Sequence, residues 1–299
     1  MKTNWMGLIA APHTPFAADG SLSLSVIEKQ CEKLITDGVI GAFVCGSTGE
    51  GVSLSVAERQ AVARRWVDVA QGQLKVIVHV GHTSITDAAV LAAHAQQSGA
   101  DGTSALAPYY FKPASVEHLL DFLAPVASAA SGLPFFYYHI PSMTGAALPM
   151  IPLLERAPER IPNFAGLKYS HGDLSEFAAC LRFDSGRFDL FWGTDEWMLP
   201  ALSIGARGFV GSNYNYAAPL YQKLMAAFAA GDLAVAEALS KNIMVSVRAL
   251  LKNTGVPSGK AIMEAIGVPV GAPRPPLRAL TTEQIQELVA VMHQCGAIG

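Results

Sequence analysis

Eight short apolar segments recur along the chain, and the stretches between them carry helical spacing. The segments cover residues 7–11, 39–45, 75–80, 103–107, 133–139, 164–167, 188–192 and 208–211. Helical patterns follow over 24–37, 55–71, 86–98, from Ser115, 149–157, 173–182, 195–204 and 217–230. Strands that alternate with helices cannot be joined as hairpins. They form crossovers, and crossovers make a parallel sheet. Eight such units with short connections predict an α/β fold, a closed (β/α)8 TIM barrel. An open doubly wound sheet lacks its best sign, because no strand is followed by GxGxxG. Helical patterns at 233–251, 259–266 and 282–294 lie beyond the eighth unit. The expected organisation is a barrel over 1–231 with a C-terminal helical extension, 232–299, packed on it.

A barrel inside a ring of helices consumes much apolar side chain. The composition supplies it, with 51% hydrophobic and 15% charged residues in a chain of 299. A formal net charge of −3, with no basic run, gives no basis for nucleic acid or an anionic membrane as partner. Residues 122–154 contain no Asp, Glu, Lys or Arg, yet Pro125, Gly132, Pro134, Pro141 and Pro149 cut the stretch into helix, strand and loop. It reads as interior, not as a membrane span. Cys31, Cys45, Cys180 and Cys295 are scattered without a CxxC pair, as free thiols in a reduced cytoplasm would be. Met1-Lys-Thr-Asn-Trp5 precedes no long apolar segment, which argues against a signal peptide.

In a parallel barrel all strands open their C-terminal ends on one face, where active sites are built. Ser47 and Thr48 follow strand two, Tyr110 follows four, Tyr138 ends five and Lys168 stands at the end of six. Asp195 and Glu196 follow strand seven, and Ser212 follows eight. A lysine at a buried strand edge either snorkels to solvent or stays desolvated. Desolvation disfavours an ammonium, and a neutral amine is a nucleophile toward carbonyl carbon. Gly46-Ser-Thr-Gly49 offers hydroxyls and backbone N–H groups suited to a carboxylate, although ordinary turns share that composition. Tyr138 can shuttle a proton beside the lysine, or simply fill core. Asp195 and Glu196 can accept from sugar hydroxyls, and acids also suit a helix N-terminus. His79, His82 and His139 end strands three and five without HExxH or a carboxylate at ligand spacing, so no metal site is expected.

One set of motifs goes further: Gly46-Ser-Thr-Gly-Glu50, Val80-Gly-His-Thr-Ser84, Pro108-Tyr-Tyr110, Tyr138-His-Ile-Pro141 with Gly145, Gly166-Leu-Lys168, and Gly211-Ser212. In this order and at these intervals they resemble the N-acetylneuraminate lyase and dihydrodipicolinate synthase superfamily, Schiff-base pyruvate aldolases on a (β/α)8 barrel. The likeness covers nearly the whole chain. It implies Lys168 as Schiff-base lysine, Tyr138 as proton shuttle, Ser47 and Thr48 as carboxylate binders, and Tyr110 reaching into a neighbouring subunit's site. It also implies no metal or organic cofactor, a small 2-oxo acid substrate (pyruvate or a sugar acid), and a cytoplasmic homotetramer built as a dimer of dimers.

Two places point to a branch of that superfamily. Lysine-pathway synthases carry an arginine five residues after the catalytic tyrosine, where this chain has Met143, which cannot grip a carboxylate bidentately. Trp192-Gly-Thr-Asp-Glu196 with Gly211-Ser-Asn-Tyr-Asn215 is similar to the sialic acid lyases. The resemblance there implies that Gly193, Asp195, Glu196 and Ser212 bind a hydroxylated tail, and Ser170 keeps a hydroxyl two residues after the lysine. The expected reaction is reversible cleavage of N-acetylneuraminate to N-acetylmannosamine and pyruvate. Asn213 and the Ser142-Met143-Thr144 run depart from the pattern, which keeps two alternatives open. One is an aldolase or dehydratase acting on another 2-oxo sugar acid, such as 2-keto-3-deoxygluconate. The other is a non-catalytic 2-oxo-acid-binding protein.

Overall fold

A computed structural model describes Thr3 and residues 5–299. The reading of the N-terminus as lacking a signal peptide falls partly on Met1, Lys2 and Asn4, which lie outside the described residues. The chain runs β1 (Gly7–Ala10), α1 (Val26–Thr36), β2 (Gly41–Val44), α2 (Val56–Ala70), β3 (Lys75–His79), α3 (Ile85–Ser98), β4 (Gly102–Leu106) and α4 (Val116–Ser128). It continues through β5 (Phe135–His139), α5 (Pro141–Thr144), α6 (Met150–Arg160), β6 (Phe164–Tyr169), α7 (Leu174–Arg182), β7 (Asp189–Trp192), α8 (Met198–Ser203), β8 (Gly208–Gly211) and α9 (Ala218–Ala229). Every strand pairs in parallel with its sequence neighbour, and β8 returns to β1 to close the barrel. The expected (β/α)8 barrel is the observed fold.

Local chemistry fixes the helix starts. Ser55 and Glu58 form a reciprocal capping box on α2, with side chain to backbone bonds of 3.2 and 2.8 Å. Ser84, Ser115 and Asp173 each accept a backbone N–H at the starts of α3, α4 and α7. Two elements differ from the sequence reading, in which Pro125 should kink or shorten the fourth helix and the sixth strand ends before Lys168. The helix α4 runs through Pro125 to Ser128 without ending there. The carbonyl that loses its partner belongs to Asp121, on the exposed face, where water can satisfy it. The sixth strand is also longer than read, ending at Tyr169, so Lys168 lies inside the ladder and not beyond it.

Strands buried on both faces sort their side chains into two cores. Ile9, Phe43, Ile77, Phe136, Ala165, Phe191 and Val210 fill the barrel interior. The outward residues and the apolar helix faces make the larger shell between barrel and helices. Within the barrel, Phe136 meets Phe191 at 5.2 Å between centroids and Trp5 at 5.8 Å, which closes the end where the strands begin. Beyond the eighth unit, α10 (Leu233–Lys252) lies on α9 and on the short 3-10 turn Asp195–Trp197, while α11 (Gly255–Ala265) and α12 (Thr282–Gln294) pack against each other. Among the described residues no helix is long and apolar enough to cross a membrane.

The aromatic floor should carry a large share of stability. Phe136 is almost wholly buried, so Phe136→Ala should cost about 3–5 kcal/mol in unfolding free energy, measured by urea titration. Phe136→Leu, which refills most of the space, should cost clearly less.

Candidate active site

Lys168 owes its position to strand register. It sits directly beside Tyr138 on β5 and Phe191 on β7. Its side chain enters the barrel, where Nζ lies 4.0 Å from the Tyr138 ring centroid and 4.1 Å from that of Phe43. Lys168 is 4% exposed and Tyr138 3%. Aromatic faces attract a cation through their quadrupole without donating or accepting a proton, so the amine is held in place while staying chemically free. Behind this pair, His79 stacks on Phe43 at 5.8 Å and meets the edge of Tyr138 at 5.7 Å. Burial pushes its pKa well below the usual range, and the Arg59 and Lys168 cations push it further. A ring so held is neutral and acts as packing. Arg59 is itself buried and donates to the backbone oxygens of Gly81 and His79.

The turn after β2 is shaped by unusual backbone. Cys45 (φ 58°) and Glu50 (φ 54°) both adopt the left-handed conformation and bracket Gly46–Gly49. Gly51 then doubles back so closely that a Cβ there would collide with the Cys45 carbonyl. The Thr14 hydroxyl donates to the Gly49 oxygen at 2.6 Å. Folded this way, the turn presents Ser47 and Thr48 to the same cleft as the lysine.

That cleft, about 290 Å³, is lined by Ser47, Thr48, Tyr138, Lys168, Ser170, Gly193, Asp195, Glu196 and Ser212. Of the ten candidate catalytic and substrate-binding residues, Tyr110 alone lies outside it. Tyr110 is 78% exposed on the loop after β4, edge-on to the equally exposed Phe111. Met143 also lines the cleft. Gly193 allows close passage of β7 over β6, since a Cβ there would collide with the Ser170 hydroxyl.

Asp195 and Glu196 differ more than their adjacency suggests. Asp195 is buried, and its Oδ2 accepts both the backbone N–H of Asn213 (3.0 Å) and the Asn213 side-chain amide (2.9 Å). Tyr216 donates to the Asn213 side-chain oxygen at 2.6 Å, which fixes which way that amide faces. Burial raises the Asp195 carboxyl to about 6; the Glu196 charge adds to this, and the Asn213 N–H and Lys168 partly offset it. Glu196 is only partly buried at the same rim. Sequence reading did not find Asn213 or Tyr216 as site residues, nor Val247, Leu250 and Leu251 of α10, which close one side of the cleft. Asn213 stood out only as a departure, and the helical residues looked like any apolar face.

Two of the remaining histidines, His139 and His171, meet edge to face at 5.7 Å. His139 packs between Tyr169 and His171, and burial, helped by His171, pushes it down to about 4. His82 Nδ1 accepts the Ser84 N–H at 2.9 Å. Among the described residues no group of three or more His, Cys, Asp or Glu is arranged to hold a metal ion.

The Dihydrodipicolinate synthetase family pattern matches residues 4–295. The N-acetylneuraminate lyase of Rattus norvegicus is 41% identical over 287 residues, covering 94% of this chain and 90% of that one. Two solved structures superpose with a TM-score of 0.96. The Proteus mirabilis N-acetylneuraminate lyase is 43% identical and covered over 98% of this chain and 99% of its own. The Aliivibrio salmonicida N-acetylneuraminate lyase (sialic acid aldolase) is 42% identical, over 99% and 98%.

The environment of Asp195 sets a pH signature. A carboxyl raised from 3.8 to about 6 favours the folded state most when protonated, so its contribution is complete below pH 3.8 and lost as pH rises through about 6. Between those limits the melting temperature of the wild type should fall relative to that of Asp195→Asn. The difference between the two melting curves, taken from pH 4 to 7, measures this; parallel curves would refute the assignment.

Proposed function

The chain belongs to the dihydrodipicolinate synthetase family, and from that membership we propose that it is a carbon–carbon lyase. The reaction is reversible cleavage of N-acetylneuraminate to N-acetylmannosamine and pyruvate through a Schiff base on Lys168. The observation that carries the reading is the register pairing of Lys168 with Tyr138 at the base of a cleft. A hydroxyl-bearing turn flanks that cleft on one side and two acids on the other. The relatives named N-acetylneuraminate lyase support the choice of sugar acid.

In this mechanism Ser47 and Thr48 bind the substrate carboxylate and so bring the C2 ketone over Lys168. The amine adds to C2, water leaves, and the iminium draws electrons from the C3–C4 bond. Tyr138, aided by the Ser47 hydroxyl, takes the proton from the C4 hydroxyl as that bond breaks and returns one to C3 of the enamine. Hydrolysis of the pyruvate imine frees the lysine. Ser170, Gly193, Asp195, Glu196 and Ser212 receive the hydroxylated tail, with Glu196 the more accessible acid. The residue balance is complete without a metal or organic cofactor. Met143 offers no guanidinium for a second carboxylate, which separates this site from the lysine-pathway synthases.

The same reading extends to assembly. Tyr109, Tyr110 and Phe111 form an exposed apolar cluster on one loop, and in a homotetramer arranged as a dimer of dimers they pack at a subunit boundary, Tyr110 beside the neighbouring site. Residues 232–299 act as an extension that roofs the barrel of 1–231. Four buried free cysteines suit a reducing cytoplasm.

Pyruvate release from N-acetylneuraminate, coupled to NADH oxidation, tests the activity. Lys168→Ala should abolish it, together with the borohydride-stable pyruvate adduct; an adduct surviving in that variant would place the imine elsewhere. Binding of N-acetylneuraminate without turnover would leave only a binding protein. Glu196→Ala removes a charged acceptor worth on the order of 1.5–3 kcal/mol, so kcat/KM should fall roughly tenfold to 150-fold while pyruvate trapping continues.

A further inference from the structure

Glu50 and Lys260 form an ion pair sealed from solvent. The Oε1 to Nζ distance is 3.0 Å, and both side chains are 2% exposed. Glu50 ends the turn that carries Ser47 and Thr48, whereas Lys260 comes from α11, far along the chain. Taking two charges out of water costs more than their attraction returns unless the remaining hydrogen-bonding positions are filled. Here they are. Lys260 also donates to the backbone oxygens of Thr14 (2.8 Å) and Ala272 (3.2 Å) and lies over the Phe16 ring at 4.1 Å. The second Glu50 oxygen accepts the backbone N–H of Arg274 at 2.8 Å. Neither residue lines the cleft, so neither touches substrate.

What the pair holds is the turn. A glutamate in the left-handed conformation is disfavoured and persists only where its surroundings over-determine it. The N–H of Glu50 donates to the Ser47 backbone carbonyl at 3.1 Å, so the anchored glutamate fixes a residue that lines the cleft. Thr14 is bonded at both its ends to this cluster: its hydroxyl holds Gly49, and its carbonyl receives Lys260. The neighbouring His13, 1% exposed, lies so close to Gly259 of α11 that a Cβ there would meet its ring. The turn and the extension are thus one bonded unit.

We propose that the buried Glu50–Lys260 pair is a positioning device, by which the C-terminal extension sets Ser47 and Thr48 at the height needed to receive the carboxylate of a 2-oxo acid. This rests on the proposed Schiff-base reading for the ligand it names. Because the device acts on the carboxylate and not on the amine, its loss should discriminate between ketones. Pyruvate carries the carboxylate; acetone is the same ketone without it. Each condenses with the Lys168 amine to an iminium and water, and cyanoborohydride supplies the hydride that reduces the iminium to a stable secondary amine.

The experiment follows that adduct on the intact protein by mass spectrometry, over a range of ketone concentrations. It compares wild type, Glu50→Gln and Thr14→Val. Glu50→Gln keeps the shape and the Arg274 bond but removes the charge; Thr14→Val removes only the hydroxyl on Gly49 and serves should Glu50→Gln fail to fold. The half-saturating pyruvate concentration should rise roughly tenfold in Glu50→Gln, about the loss of one charge-assisted hydrogen bond. It should rise in the same direction, by less, in Thr14→Val. Acetone trapping should stay within about twofold of wild type in both, since no carboxylate contact is involved. An unchanged pyruvate dependence in both variants overturns the proposal, and so does equal loss of pyruvate and acetone trapping, which marks general disruption. Failure of the wild type itself to trap pyruvate would overturn the lyase reading, and the positioning role with it, before any variant is compared.

Discussion

A primary amine can stay inside an apolar barrel only where something other than bulk water makes it tolerable. For Lys168 that something is a pair of aromatic faces, Phe43 and Tyr138, set about 4 Å from Nζ. The arrangement depends on register at two joints, since Tyr138 and Phe191 flank the lysine in the ladder. A slip of one residue in β6 would turn Lys168 into the helix layer and bring Leu167 or Tyr169 inside. The closed barrel enforces the register because every strand has two partners and there is no edge along which to slide.

The cleft above the lysine is assembled from pieces with different tolerances. Its base belongs to the strands and is rigid. Its walls are turns whose shape needs close backbone approach, as where Gly51 passes the Cys45 carbonyl and Gly193 passes Ser170. Its roof comes from α10, through Val247 and Leu250. The mixture explains why polar groups at the rim are braced from outside the cleft, Asp195 by Asn213 and Tyr216, and the Ser47 turn by Thr14 and Glu50. A side chain on a turn points reliably only when its own neighbours are fixed.

Much of this was legible in the sequence because it is periodic or local. The alternation of apolar strands with helical spacing specifies the barrel, and caps such as Ser55 and Glu58 announce where helices begin. Strand ends were legible only approximately. Val39 and Ile40 read as strand but precede β2, although Ile40 already bonds to both neighbouring strands, because the residues leading into a strand are as apolar as the strand itself. Lys168 could be placed at the mouth by topology, and nine of the ten candidate site residues do line one cleft. Illegible were the pairings that span the chain. Nothing near Glu50 names Lys260 as its partner, and no pattern in α10 distinguishes the residues facing substrate space from those facing α9. Such contacts are decided by how finished elements dock, and a linear pattern carries no record of docking.

The floor made by Trp5, Phe136 and Phe191 turns the barrel into a well with a single opening. A one-ended well imposes an order of traffic. In the proposed reaction the fragment bonded to Lys168 sits deepest, and the sugar fragment lies between it and the exit. The sugar therefore leaves first and the three-carbon acid last, after water has followed the departing sugar in to cut the imine. Run backwards, the same geometry makes the small acid enter before its partner. The queue is set by the aromatic plug at the far end of the strands, by residues that never meet the substrate.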